Sequence, residues 1–406
     1  MNILLVSTQD SKGGAARAML RLHHGLRHSL HESHILAYYR QQSDTHRVGQ
    51  HDWVSLSVRA SVWANQRATH GQTTPDCELF STNLVPNALH RRIAQLNPDV
   101  LHLHWIAGGF LPISRFSRLK KPIVWTLHDM WAFTGGCHYT QGCTRYQHTC
   151  GNCPQLRHAH THDLSQRVFH AKVQEWREVP MTIITPSQWL ARCVRESALL
   201  GHQRIEVIPN GINTRLYQPL DRATARQAFG LPQHKRLIVF GALNSTTTPR
   251  KGFDALKHAL RALKTHDTEL VIFGAKRPQH TLDFGLPTHY LGNLQDDISL
   301  ALAYNTADVF VAPSLQDNLP NTVLEALACG VPCVAFNIGG MSDLITHQHN
   351  GYLAQANNTD DLAQGIEWVL AQDRALLSQQ ARETIIRGFA LEKIVERHIA
   401  LYESLP

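Results

Sequence analysis

Short apolar runs alternate with longer stretches of helical periodicity along the whole chain. In the first half, strand-like runs fall at residues 2–7, 34–39, 100–104, 123–127, 182–185 and 205–208. In the second half they fall at 237–240, 270–273, 289–291, 309–312 and 333–335. After the first run, Ala15, Met19, Leu22, Leu26 and Leu30 share one face of a helix predicted over residues 15–30. Strands that alternate with helices imply parallel sheets covered on both faces. The pattern predicts an α/β chain of two doubly wound parallel-sheet domains facing a central cleft. The join lies between about Asn210 and Arg222, and a helical segment closes the chain at 391–405.

The chain has 406 residues, 43% hydrophobic and 17% charged, enough for more than one core. Residues 1–6 lack a basic leader and read as a first strand, and no apolar run is long enough to span a membrane. A cytoplasmic protein is the expectation. A net charge of +7 favours anionic ligands, with an anionic membrane surface as a further partner. Lys and Arg are dispersed and no nucleic-acid module is evident, so nucleic acid is not expected. Val54, Val58 and Val62, with Arg59, Trp63 and Arg67, read as a core-facing helix or as a basic amphipathic one that touches a membrane.

Residues 313–333, P-S-L-Q-D-N-L-P-N-T-V-L-E-A-L-A-C-G-V-P-C, carry the strongest chemical signal. A strand ends before Asp317, Pro320 suits the first helical position, and Gly330 with Pro332 ends the helix. Asp317 then lies in the mouth of a helix-start anion site, and Glu325 is placed to accept from a ribose diol. A dipole-favoured acid and a solvated helical Glu are the plainer alternatives. Upstream, the loop G-A-L-N-S-T-T-T-P-R-K-G-F-D after the 237–240 strand puts Arg250, Lys251 and Gly252 at a helix start, where a diphosphate would fit. No D-x-D metal motif is present, and Asp296-Asp297 and Asp360-Asp361 read as helix-start acids.

The first strand runs into Gly13-Gly14, two unhindered amides before a helix. His104 in D-V-L-H-L-H-W and His128 in V-W-T-L-H-D-M-W end strands on one side of the first sheet; His102 shares the face of His104. A structural role is the ordinary one for such residues.

The 313–333 segment resembles the donor signature P-S-x-x-E-x-F-G-x-x-x-x-E-A-x-A-x-G-x-P-V of the retaining family 4 glycosyltransferases, and the resemblance spans nearly the whole chain. It implies the GT-B fold, with 1–212 as a Rossmann-like acceptor-side domain, 213–388 as a Rossmann-like nucleotide-sugar domain, and 389–406 crossing back onto the first. By resemblance, Asp317 contacts the transferred sugar, Glu325 the ribose, and the amides of Asn318, Leu319, Asn321 and Thr322 the diphosphate. Asp317 stands where the family has Glu, and Asn318-Leu319-Pro320 replaces its Gly-Phe-Gly region. Lys251-Gly252 matches the family's Lys-Gly. Gly241-Ala242 replaces its Gly-Arg, so one cation is missing, and Arg250 is expected to substitute for it. The same resemblance assigns His104 to sugar contact and Gly13, Gly14, His128 and Asp129 to the acceptor side. It further implies retention of configuration and transfer without a metal or other catalytic cofactor. Double displacement would need a nucleophile on the sugar's far face, the sequence offers no clear one, and front-face attack is the preferred expectation.

Cys137-x5-Cys143-x6-Cys150-x2-Cys153 lies in the 135–155 loop, with His138 and His148 as substitute ligands. Four thiolates suit a closed structural zinc site, and a reduced or redox-active cluster is the alternative. The block W-T-L-H-D-M-W-A-F-T-G-G-C is similar to family 4 enzymes of bacterial polysaccharide clusters, including colanic-acid glycosyltransferases. Its Trp and Phe are candidates for stacking on acceptor sugars or for the core. The expected function is transfer of a sugar from a nucleotide-sugar donor to a glycan or lipid-linked acceptor. A sugar-nucleotide epimerase on the same fold and a non-catalytic nucleotide-sugar-binding protein are the alternatives.

Overall fold

The computed structural model describes residues 1–41, 46–47, 52–241, 248–265, 267–275, 283–294 and 296–405. Contacts divide the chain into two units, Met1–Pro209 with Ile394–Pro406, and Asn210–Lys393. The junction precedes Ile212 because that residue hydrogen-bonds Phe389 and Leu391, which ties it to the second unit.

The first unit holds β1 (Asn2–Gln9), β2 (Glu32–Tyr39), β3 (His46–Arg47), β4 (Val100–Leu103), β5 (Ile123–Thr126), β6 (Met181–Thr185) and β7 (Arg204–Val207). Their order is β3-β2-β1-β4-β5-β6-β7, all parallel. The second unit holds β8 (Arg236–Gly241), β9 (Thr268–Phe273), β10 (Thr288–Gly292), β11 (Val309–Ala312), β12 (Cys333–Phe336) and β13 (Gly351–Ala354). Its order is β10-β9-β8-β11-β12-β13, again all parallel.

Each order reverses beside its own first strand, between β1 and β4 and between β8 and β11. Open α/β sheets bind ligands at the carboxyl ends of strands flanking such a reversal. The residues picked out from sequence follow these strands: Gly13 after β1, His104 after β4, Lys251 after β8 and Asp317 after β11.

The packing follows from strand alternation. In β11, Phe310 and Ala312 join a core with Val323, Leu324 and Leu327, while Val309 and Val311 face Leu256, Leu362 and Ile366 on the other side. Trp125, Trp131 and Phe133 belong to the first unit's core and are buried, so the core explanation for these aromatics is the correct one. The helix Trp53–Thr69 likewise buries Val54, Val58 and Val62. Its valines face the core, and Trp53, Leu56 and Trp63 are exposed on its outer face.

The helix Leu391–Glu403 joins the first unit from Ile394 onward. Its Tyr402 hydroxyl lies 2.7 Å from His102 Nδ1, and Arg397 donates to the Val207 carbonyl. No helix among the described residues is long and apolar enough to cross a membrane.

Candidate functional site

In the second unit the chain leaves β8, turns through Pro249–Lys251 and enters the helix Phe253–Arg261 at Gly252. Gly252 has φ +72°, and a Cβ there would overlap the Pro313 carbonyl oxygen; only glycine lets this turn lie so close to the end of β11. Leu315 N–H donates to the Arg250 carbonyl at 2.8 Å, which fixes the two loops together.

The side chains meet on Asp317. Lys251 Nζ stands 2.6 Å from Asp317 Oδ2, and Arg250 Nη1 is 3.4 Å from the same oxygen while donating to the Gln316 carbonyl at 2.9 Å. Asn318 N–H donates to Asp317 Oδ1 at 3.0 Å. Burial pushes the Asp317 carboxyl up, but the Lys251 and Arg250 charges and these hydrogen bonds outweigh it and hold it below the usual carboxylate range. Asp317 is thus an ionised, clamped carboxylate.

The helix Asn321–Ala328 starts one residue later than expected, with Pro320 in extended conformation at the cap. Leu319 is buried beneath this turn, and Asn321 Oδ1 accepts from Asn210 Nδ2 at 3.2 Å. Thr322 lies in the first turn, where helix amides point outward. Glu325 departs from the plain reading of a solvated acid. It is 2% exposed, and its Oε2 accepts from the Tyr304 hydroxyl at 2.7 Å. Tyr304 gave no motif signal, since it belongs to another helix and meets Glu325 only through packing. Gly241 closes β8, where a Cβ would strike the Phe273 ring. Ala242, the position of the missing cation, lies outside the described residues. Asp296 caps its helix through Ser299 N–H at 2.7 Å, the helix-start role expected of it, and Asp360 and Asp361 occupy a first turn.

The first unit gathers a second group. Gly13 precedes the helix Gly14–Arg27 with φ +90°, a backbone that only glycine adopts cheaply. His104 Nδ1 is 3.0 Å from His128 Nε2, and the His102 and His104 rings lie 4.3 Å apart. His104 is buried, and its Nε2 has no hydrogen-bond partner among the described residues. Burial pushes His104 well below the usual imidazole value and His128 down to about 4. Both act as neutral imidazoles near neutral pH.

Asp129 accepts from Trp105 Nε1 at 2.8 Å and from Trp131 N–H at 2.9 Å, and lies 2.6 Å from His138 Nδ1. His138 Nε2 is 2.9 Å from Ser81 Oγ. With both ring nitrogens engaged, His138 holds Asp129 in place and is not a substitute metal ligand. This use of His138, and of Trp105 beside it, had no signature in the spacing. The partly exposed Trp105, not Trp125, Trp131 or Phe133, is the aromatic that reaches this site's surface.

Cys137, Cys143, Cys150 and Cys153 line one cavity, together with Tyr146 and Ser165. All eight cysteines are free thiols. Among the described residues, no group of three or more His, Cys, Asp or Glu side chains stands as it would around a metal ion. His148 does not line the cavity.

Comparison with known proteins matches residues 12–216 to Glycosyltransferase Family 4 and residues 234–372 to Glycosyl transferases group 1. WcaC of Escherichia coli K12, named for colanic acid biosynthesis as a glycosyl transferase, is 27% identical across 100% of both chains. An Escherichia coli UDP-Gal:alpha-D-GlcNAc-diphosphoundecaprenol alpha-1,3-galactosyltransferase is 27% identical over 52% of this chain and 56% of its own. In fold, the Anabaena protein Alr3699/HepE, solved with UDP and glucose, superposes with a TM-score of 0.68 at 16% identity over 100% of both chains. One family match covers half of the chain and the other covers the turn and helix that carry Lys251, Asp317 and Glu325, so this chain belongs to glycosyltransferase family 4 and has the GT-B fold.

Proposed function

We propose that the protein is a retaining hexosyltransferase. It moves a sugar from a UDP-linked donor to a glycan or lipid-linked acceptor in bacterial surface polysaccharide synthesis, without a catalytic metal. The observation that carries this reading is the cluster of Lys251, Arg250 and Asp317 where the strand order reverses, beside the start of the helix that bears Glu325. Uracil is the base of choice because the galactosyltransferase relative is named for UDP-Gal and Alr3699/HepE was solved with UDP. The acceptor class follows the polysaccharide and diphosphoundecaprenol names of the two relatives.

In this reading the donor diphosphate lies against Lys251, Arg250 and the amides of Asn318, Leu319, Asn321 and Thr322. Glu325, oriented by Tyr304, accepts from the ribose, and Asp317 accepts from the sugar. As the anomeric carbon–oxygen bond breaks, charge builds on the diphosphate, and the fixed cations stabilise it. Asp317 is a poor nucleophile because two cations and an amide already hold it. Front-face attack is therefore preferred: the acceptor oxygen bonds to the anomeric carbon on the side the diphosphate leaves, and its proton passes to the departing phosphate. His104, His128, Asp129, Gly13 and Gly14 form the acceptor-side surface. The exposed Trp53, Leu56 and Trp63, with Arg91 stacked 4.6 Å from the Trp53 ring, are proposed to rest on an anionic membrane at its cytoplasmic face.

Epimerase and non-catalytic readings are not favoured, since both family matches are to glycosyl transferases. A thermal-shift series with UDP, GDP and ADP tests the donor assignment. UDP at a hundred times its Kd is expected to add about 2.7 kcal/mol of stability. Equal, negligible shifts with all three nucleotides would contradict it.

A further inference from the structure

The cysteine-lined cavity is not used by the transfer chemistry, yet it is built with care. Cys150 and Asn152 have φ of +55° and +45°, on either side of Gly151. Two non-glycine residues in the left-handed region persist only where their surroundings over-determine them. Here the bonds are explicit. Gly151 N–H donates to Ser165 Oγ at 3.0 Å, Cys153 N–H to Asp163 Oδ2 at 2.8 Å, and Cys150 N–H to the Arg145 carbonyl at 3.1 Å. The turn that bears Cys150 and Cys153 is thereby pinned to the start of the helix Leu164–Trp176.

Lys172 supplies an independent observation. It is fully buried, donates to the carbonyls of Trp131 and Thr134, and sits 3.9 Å from the centre of the Trp131 ring. Among the described residues, no carboxylate forms an ion pair with it. Burial disfavours its charge, and the groups that offset this most are Cys150 and Cys137, followed by Asp129. A buried ammonium calls for negative charge close by. Four thiolates around a divalent ion leave a centre that is still negative, and it would face this lysine.

We propose that Cys137, Cys143, Cys150 and Cys153 bind one zinc ion in a closed structural site. The thiols already share a cavity without standing in ligand positions, so closure requires their side chains to turn inward, with release of their protons to solvent. The consequence reaches the acceptor side through one peptide bond. Cys137 precedes His138, whose ring holds Asp129 and Ser81. Zinc pins that hinge without touching the sugar, and four thiolates leave no position for a catalytic water.

Metal analysis of the full chain, purified under reducing conditions and incubated with zinc, tests the site. About one zinc per chain is expected, released in step with mercurial titration of the thiols, and cobalt should give the intense visible absorption of a tetrahedral thiolate site. Cys77→Ser should keep the metal, because Cys77 packs against Cys137 and Cys153 but lies outside the cavity lining. Less than about a tenth of an equivalent, with the four thiols freely titratable, would overturn the proposal. So would full binding by a Cys150→Ser, Cys153→Ser double variant. If that variant fails to fold, the cobalt spectrum of the unaltered chain still decides.

Discussion

At Asp317, two cations share one carboxylate, and the three side chains have unequal roles. Lys251 makes the short contact, whereas Arg250 also braces the Gln316 carbonyl. Lys251→Ala should therefore leave the fold intact and slow transfer by roughly 10²–10³, about 3–4 kcal/mol in the barrier. Single-turnover rates on protein with native circular dichroism check this. Arg250→Ala should lower donor affinity as well as turnover if Arg250 substitutes for the cation missing at Ala242; an unchanged donor Kd would refute that substitution. Tyr304→Phe removes one hydrogen bond to Glu325 and should weaken UDP binding by about 0.5–1.5 kcal/mol, read by calorimetry. Lys251, Asp317 and Glu325 were picked out by their match to the family motif, and the contact between Lys251 and Asp317 follows from the local loop geometry around Gly252. Tyr304 and His138 were not, since their roles arise from side chains meeting across elements.

Among the elements, the strands were the most legible, because buried parallel strands read as short apolar runs. β13 escaped notice: it opens on Gly351 and carries two half-buried residues, Tyr352 and Leu353, so its run is weak. β3 has two residues, too few to show a period. The closing helix was legible from its periodicity, but its anchoring through a histidine stack was not. His398 packs against His102 and Tyr402, with Arg397 beside it, and burial pushes its imidazole down to about 4. An unfolded His titrates near 6.5. Above that pH both states are neutral and nothing is lost. Below it, the unfolded chain takes up a proton that the folded one resists, so stability falls as the pH drops towards 4. The loss from His398 should be about 2 kcal/mol at pH 5. Thermal unfolding of the native chain and His398→Gln at pH 7.5 and 5 checks this; the variant should show the shallower acid dependence.

For the whole molecule, the repeated strand–helix order made two doubly wound units legible from the first reading. The base, sugar and acceptor were not, because they depend on loop shape rather than on periodicity. Membrane contact belongs to this scale too: Val54, Val58 and Val62 take the core-facing option of the sequence reading, and Trp63, named there, is exposed together with Trp53 and Leu56, which were not. Trp53→Ala with Trp63→Ala should abolish co-sedimentation with anionic liposomes while leaving UDP binding unchanged. The central claim is that the Lys251–Asp317 pair, with Glu325 on the helix that follows it, is the donor site. Calorimetric titration of UDP into the native chain and into folded Lys251→Ala tests it most directly. The account predicts saturable binding at one site by the native chain and affinity at least about tenfold weaker in the variant, a loss of about 1.4 kcal/mol. Equal affinity in both, or no binding by the native chain, would contradict it.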